Sequence, residues 1–207
     1  LFDLDGVLAD VSRSYRMSII ETAKSFGVEV TLDDISAIKA QGNANNDWDV
    51  TQRMLASRGV ELSLAEVTER FESIYQGTED VPGLRSTETL MVERSWLESL
   101  RERYPLAIVT GRPREDAVRF LREKEILDLF ETLVCMEDAE LKPNPAPVRL
   151  ALSRLGLERA WMLGDTPDDL VAARGAGVVP VGVVPPGESP ENVTKTLSNA
   201  GAACVLE

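Results

Sequence analysis

From residue 106 to the end of the chain, short apolar runs alternate with helix-spaced segments, and this alternation constrains the fold more than any other feature. Runs at 106–109, 132–136, 161–163 and 178–183 are each followed by a segment whose apolar positions recur three or four residues apart, at 113–124, 146–155, 167–175 and 190–200. Strands this short and this apolar are buried on both faces. A helix between two of them returns the chain to the same edge, so the pattern dictates repeated βα units and a parallel sheet. Residues 203–206 add a last edge strand, and residues 1–4 read as the end of a buried strand entering the turn-prone Asp5-Gly6 pair.

The region between these parts has a different period. Helices are expected at 14–26, 32–40, 47–58 and 64–75, with Gly27, Gly42, Gly59 and Gly77 at their ends, and no strand is expected among them. A Pro82-Gly83 turn and a further amphipathic helix at 86–103 follow. The fold class is therefore α/β, with residues 1–11 and 81–207 forming a Rossmann-like parallel-sheet core. Residues 12–80 form an inserted, all-helical cap.

Composition removes several functions. A net charge of −13 and a pI near 4.6 oppose binding to nucleic acid or to an anionic membrane, which attract cationic surfaces. No apolar stretch approaches the roughly 20 residues needed to span a bilayer. Cys135 and Cys204 each lie in an apolar run and read as buried strand residues, without a disulfide framework. A reducing, cytoplasmic location is expected, or an organelle if a targeting segment precedes the chain; Asp3 follows only two apolar residues, which indicates that sequence is missing upstream. The chain has no histidine, which rules out serine-histidine triads, phosphohistidine chemistry and histidine-ligated zinc. Carboxylates, hydroxyls and lysines must carry any catalysis.

Ligands of open parallel sheets bind beyond the carboxyl ends of the strands, so the residues after each apolar run are the candidates. Four runs end in groups suited to phosphoryl transfer: Asp3-Leu-Asp5-Gly, Thr110-Gly111-Arg112, Lys142-Pro143 and Gly164-Asp165-Thr-Pro-Asp168-Asp169. A rigidly held carboxylate such as Asp3 can attack phosphorus and divide one difficult hydrolysis into two steps. Asp5, two residues on, can protonate a departing alkoxide and then deprotonate a water. Asp165 is a hard oxygen ligand of the kind magnesium prefers, alongside Asp3 and the Asp5 carbonyl, with Asp169 one helical turn later as a support. Thr110, Gly111 and the amides at the start of the next helix offer a phosphate cradle, Lys142 a point charge, and Arg112 either a second anion contact or merely an exposed arginine. Taken singly, each has a bland reading as a turn, a helix cap or a solvated loop.

Jointly and in this order, the four motifs strongly resemble those of the haloacid dehalogenase superfamily, over essentially the whole chain. The resemblance implies a magnesium-dependent phosphatase acting on a small phosphorylated metabolite through an aspartyl phosphate, in a monomer or weak dimer. A helical insertion directly after the first motif is similar to the cap of the subfamily containing phosphoglycolate phosphatase and β-phosphoglucomutase, so a phosphomutase is the enzymatic alternative and an idle regulatory or interaction domain the non-enzymatic one. Such a cap can close over its core and exclude water. Within the insert, residues 39–48 carry three asparagines, a glutamine and a lysine. Lys39 and Asn43 are the candidate substrate contacts there, while Asn46 or Asp47 can instead cap the next helix and Trp48 pack beneath it. This loop resembles a branch labelled histidinol-phosphatase-like. Trp96, on the apolar face of a helix, and Trp161, at the start of a buried strand, read as structural residues.

Overall fold

The structure, a computed structural model, describes residues 1–39 and 46–207. It divides into two compact units, Leu1–Asp10 with Thr89–Glu207 and Val11–Glu88.

The first unit is built on a parallel sheet. Its strands are β3 (Ala107–Val109), β4 (Thr132–Val134), β5 (Trp161–Gly164), β6 (Val179–Val183) and β7 (Cys204–Leu206), preceded by the short antiparallel pair β1 (Ala9–Asp10) and β2 (Thr89–Leu90). The opening run is the central member: Phe2 bridges Ile108 on one side and Leu163 on the other. Its amide donates to the Ala107 carbonyl, the Asp3 amide to the Leu163 carbonyl, and the Val109 amide to the Phe2 carbonyl. β3 continues to β4, and β5 to β6 and β7, all in parallel register. Helices α5 (Arg94–Arg101), α6 (Arg114–Glu123), α7 (Ala146–Leu155), α8 (Pro167–Gly175) and α9 (Pro190–Ala200) connect or flank these strands. Val109, Val134, Ala151, Met162 and Ala172 share one buried cluster, which joins the sheet to α7 and α8. Burial of side chains of this kind contributes about 1.5–3 kcal/mol for each large one.

The helical unit holds α1 (Tyr15–Ser25), α2 (Leu32–Lys39), α3 (Asp47–Ser57) and α4 (Leu64–Gln76). Ser63 opens α4 with a capping box: its hydroxyl accepts from the Glu66 amide while the Glu66 carboxylate accepts from the Ser63 amide at 2.9 Å. Val67, Phe71 and Tyr75 then follow at four-residue spacing, all fully buried. Tyr15 of α1 packs on Tyr75 with ring centroids 4.4 Å apart. Beneath them the buried Glu88 carboxylate accepts from the Ser14 hydroxyl at 2.8 Å and the Tyr75 hydroxyl at 3.1 Å.

Several expectations need correction. Residues 86–103 are not one helix: Leu84–Thr87 form a 3-10 turn, β2 follows, and only Arg94–Arg101 are α-helical. Trp96, whose ring packs edge-on against Phe2, and Trp161, the first residue of β5, are 43% and 59% exposed. Cys135 is buried as expected, but Cys204 lies on the last strand, which pairs on one side only, and is exposed. No helix among the described residues is long and apolar enough to cross a membrane.

Candidate active site

Asp3, Thr110 and Asp165 each follow the last residue of adjacent parallel segments, the opening run, β3 and β5, so sheet geometry alone brings them to one edge. Lys142 arrives from the loop between β4 and α7. Its ammonium donates to Asp3 Oδ1 at 2.7 Å, to Asp169 Oδ1 at 2.5 Å and to the Val109 carbonyl at 3.1 Å, with the lysine only 4% exposed. Burial would lower the Lys142 pKa, but the carboxylates of Asp169 and Asp3 outweigh it and hold the ammonium charged, above its ordinary value. Burial pushes the Asp3 carboxyl up to about 7; Lys142 opposes this shift, and the charges of Asp169 and Asp5 add to it.

Asp169 is fixed by local sequence. Thr166-Pro-Asp-Asp169 forms a capping box at the start of α8: Asp169 Oδ2 accepts from the Thr166 amide at 3.0 Å and its hydroxyl at 2.6 Å. The cap uses one carboxylate oxygen and leaves the other on Lys142. Asp168 beside it is also buried.

Carboxylate oxygens of Asp3, Asp165 and Asp169 lie within 4.8 Å of one another. Two glycines make this approach possible. Gly6 has φ +74°, and a Cβ there would overlap the Asp165 carboxylate. A Cβ on Gly164 would overlap the Asp169 side chain. With Asp5 included, four carboxylates face the cations of Lys142 and Arg112 and leave an excess of negative charge among hard oxygen donors. The carboxylate oxygens of Asp3, Asp165 and Asp169 are a donor set that would fit a magnesium ion.

Arg112 is not the exposed arginine that one sequence reading allowed. It is 2% exposed, and its guanidinium closes on Asp5 Oδ1, with Nε at 2.6 Å and a terminal nitrogen at 2.5 Å. One amide of the expected phosphate cradle is engaged within the protein. Thr110 is buried, with Gly111 half-buried beside it, and the Thr110 hydroxyl accepts from the Arg112 amide at 3.1 Å. The Arg114 amide that opens α6 is not free, because it donates to both oxygens of Glu137 at 3.0 and 3.1 Å. In the helical unit Lys39 pairs with Asp47 at 3.0 Å, and Asn46 caps α3 by accepting from the Trp48 and Asp49 amides. Asn43 lies outside the described residues. From sequence Gly6 reads only as a turn residue and Gly164 only as part of its motif, and Thr166 is given no role; the Thr-x-x-Asp spacing is its readable signal.

The chain belongs to the haloacid dehalogenase-like hydrolase family, whose sequence profile matches residues 1–183. A protein of Phytophthora nicotianae named imidazoleglycerol-phosphate dehydratase is 44% identical over 222 aligned residues, covering 100% of this chain and 49% of its own length. This chain thus spans about half of that relative. A phosphoglycolate phosphatase of Pectobacterium atrosepticum is 32% identical, with 88% of this chain and 78% of that protein covered. Among solved structures, a haloacid dehalogenase family hydrolase from Deinococcus radiodurans, with bound phosphate and sodium, superposes with a TM-score of 0.73 at 23% identity, over 99% of this chain and 88% of that one. It carries the same fold.

Proposed function

We propose that the chain hydrolyses a small phosphate monoester, with Asp3 as the nucleophile and Asp5 as the general acid and base. The observation that carries the reading is the convergence of Asp3, Lys142, Asp165 and Asp169 at one sheet edge, with Asp5 beside them. An Asp3 oxygen attacks phosphorus, and the bond to the ester oxygen breaks, its electron pair leaving with that oxygen while Asp5 gives it a proton. A water then attacks the phosphorus of the aspartyl phosphate and loses a proton to Asp5. The bond to Asp3 breaks, restoring the carboxylate, so ester and water become alcohol and inorganic phosphate. Lys142 orients Asp3 and, with the Thr110 hydroxyl, receives the phosphoryl oxygens. A magnesium ion in the carboxylate cluster would offset the repulsion between an anionic nucleophile and an anionic phosphate.

The substrate is a phosphorylated metabolite with an alkoxide leaving group, since Asp5 serves a departing group that needs a proton. The phosphatase name of the Pectobacterium relative supports phosphate release, and the name of the longer Phytophthora relative favours an imidazole-bearing phosphate ester as a second candidate. Phosphate release from a panel of phosphorylated metabolites, with magnesium and with chelator, tests the proposal. Magnesium-dependent turnover of at least one monoester is expected; a chain inert toward all of them, p-nitrophenyl phosphate included, contradicts it.

A further inference from the structure

We infer that Arg112 is a positioning residue for Asp5: its buried guanidinium fixes Asp5 Oδ1 so that Oδ2 is the oxygen that gives and takes the proton. The inference rests on the phosphatase reading and extends it to a residue that reading leaves without a role. Two guanidinium nitrogens, at 2.5 and 2.6 Å, meet the same carboxylate oxygen, which restricts rotation of the Asp5 side chain. The Arg112 side chain is 1% exposed against 29% for Asp5, so the arginine lies behind the carboxylate and away from solvent, while Asp5 keeps a face open. Three features hold the guanidinium there. Its carbon lies 5.2 Å from the centroid of the Phe120 ring, on α6. The Arg112 amide is bonded to the Thr110 hydroxyl, and the Arg112 carbonyl accepts from the Met136 amide at 2.9 Å. A substrate anion would have to displace Asp5 to use this charge, whereas a proton donor needs a fixed direction toward the leaving oxygen. Held this way, Asp5 transfers its proton from Oδ2 as the bond from phosphorus to the leaving oxygen breaks, and recovers one there from the attacking water.

An acid held in place matters in proportion to the basicity of the leaving group, and that property separates a positioning role from a structural one. Wild type, Arg112→Gln and Arg112→Lys are compared on p-nitrophenyl phosphate, whose leaving group departs without a proton, and on benzyl phosphate, whose alkoxide needs one. The readout is kcat/KM, which reports the first phosphoryl transfer. General acid catalysis is worth about 10²–10⁴-fold, so the Arg112→Gln loss on benzyl phosphate should exceed its loss on p-nitrophenyl phosphate by at least about tenfold. Arg112→Lys should recover part of the difference. In an Asp5→Asn background the Arg112→Gln change should have no further effect on that ratio. Parallel losses on both esters, or an undiminished effect in the Asp5→Asn background, overturn the inference. If Arg112→Gln fails to fold, Arg112→Lys is read alone, and parallel losses or none overturn it equally. A wild type inert toward every ester defeats the phosphatase reading and this inference together; an active wild type with parallel losses defeats only the inference.

Discussion

Replacing Lys142 with Met should destabilise the α/β unit strongly, and more so in alkali than in acid. The ammonium meets Asp3, Asp169 and a backbone carbonyl within 3.1 Å, and the two carboxylates are 5% and 0% exposed. A Met of similar length fills the space but leaves two buried carboxylates facing one another. Breaking a buried pair in this way costs about 3–5 kcal/mol, or roughly 10 °C in melting temperature for a chain of this size. Asp169 keeps its two bonds from Thr166, so the added strain falls on Asp3. Burial already holds the Asp3 carboxyl at about 7, above its ordinary 3.8, and loss of the ammonium raises it further. A raised carboxyl binds a proton in the folded state that the unfolded state lacks, so folding is favoured at low pH and loses that help as pH rises through the folded value. The deficit of the variant should therefore be constant below about pH 6, begin to grow as pH rises through about 7, and be larger at about pH 8 than at about pH 5.5. Urea unfolding in chelator measures it, followed by Trp96 and Trp161 fluorescence in a Trp48→Phe background, because Trp48 belongs to the helical unit. A loss below about 1 kcal/mol at both pH values would refute the reasoning.

Three other outcomes follow from the same geometry. Gly6→Ala combines a positive φ with overlap on the Asp165 carboxylate, so it should cost about 1–3 kcal/mol in stability, measured by urea unfolding, and weaken magnesium-dependent turnover. Burial pushes the Cys135 thiol up to about 11, whereas Cys204 is exposed, so a disulfide reagent should label Cys204 in the native protein and reach Cys135 only on unfolding; Cys204→Ser should remove the fast phase. In chelator, the stability of wild type relative to Asp3→Asn should be greatest below about pH 4 and decline as pH approaches about 7, the window between the unfolded and folded pKa of Asp3, and a flat difference would contradict its raised value.

Legibility in the sequence followed the range of the interaction. Helices α7, α8 and α9 have the bounds that spacing indicated, because local signals close them: Thr166 and Ser189 at N-termini, and left-handed Gly156 and Gly201 at C-termini. The strand-end residues Asp3, Thr110 and Asp165 were readable because a parallel sheet places all its carboxyl ends at one edge. The two-residue strands β1 and β2 were not, since they are too short to show a period and are held by pairing between Ala9 and Leu90 across the whole insert. The Arg112–Asp5 contact joins residues 107 positions apart, and no local pattern announces such a partner.

The account turns on Asp3 becoming phosphorylated, and chemical trapping tests that most directly. Protein mixed with p-nitrophenyl phosphate and magnesium, quenched in acid and reduced with borohydride, should carry homoserine in place of aspartate at position 3 in the peptide mass spectrum, and Asp3→Asn should carry none. An unmodified position 3 under turnover, or modification at another carboxylate, would contradict the central claim.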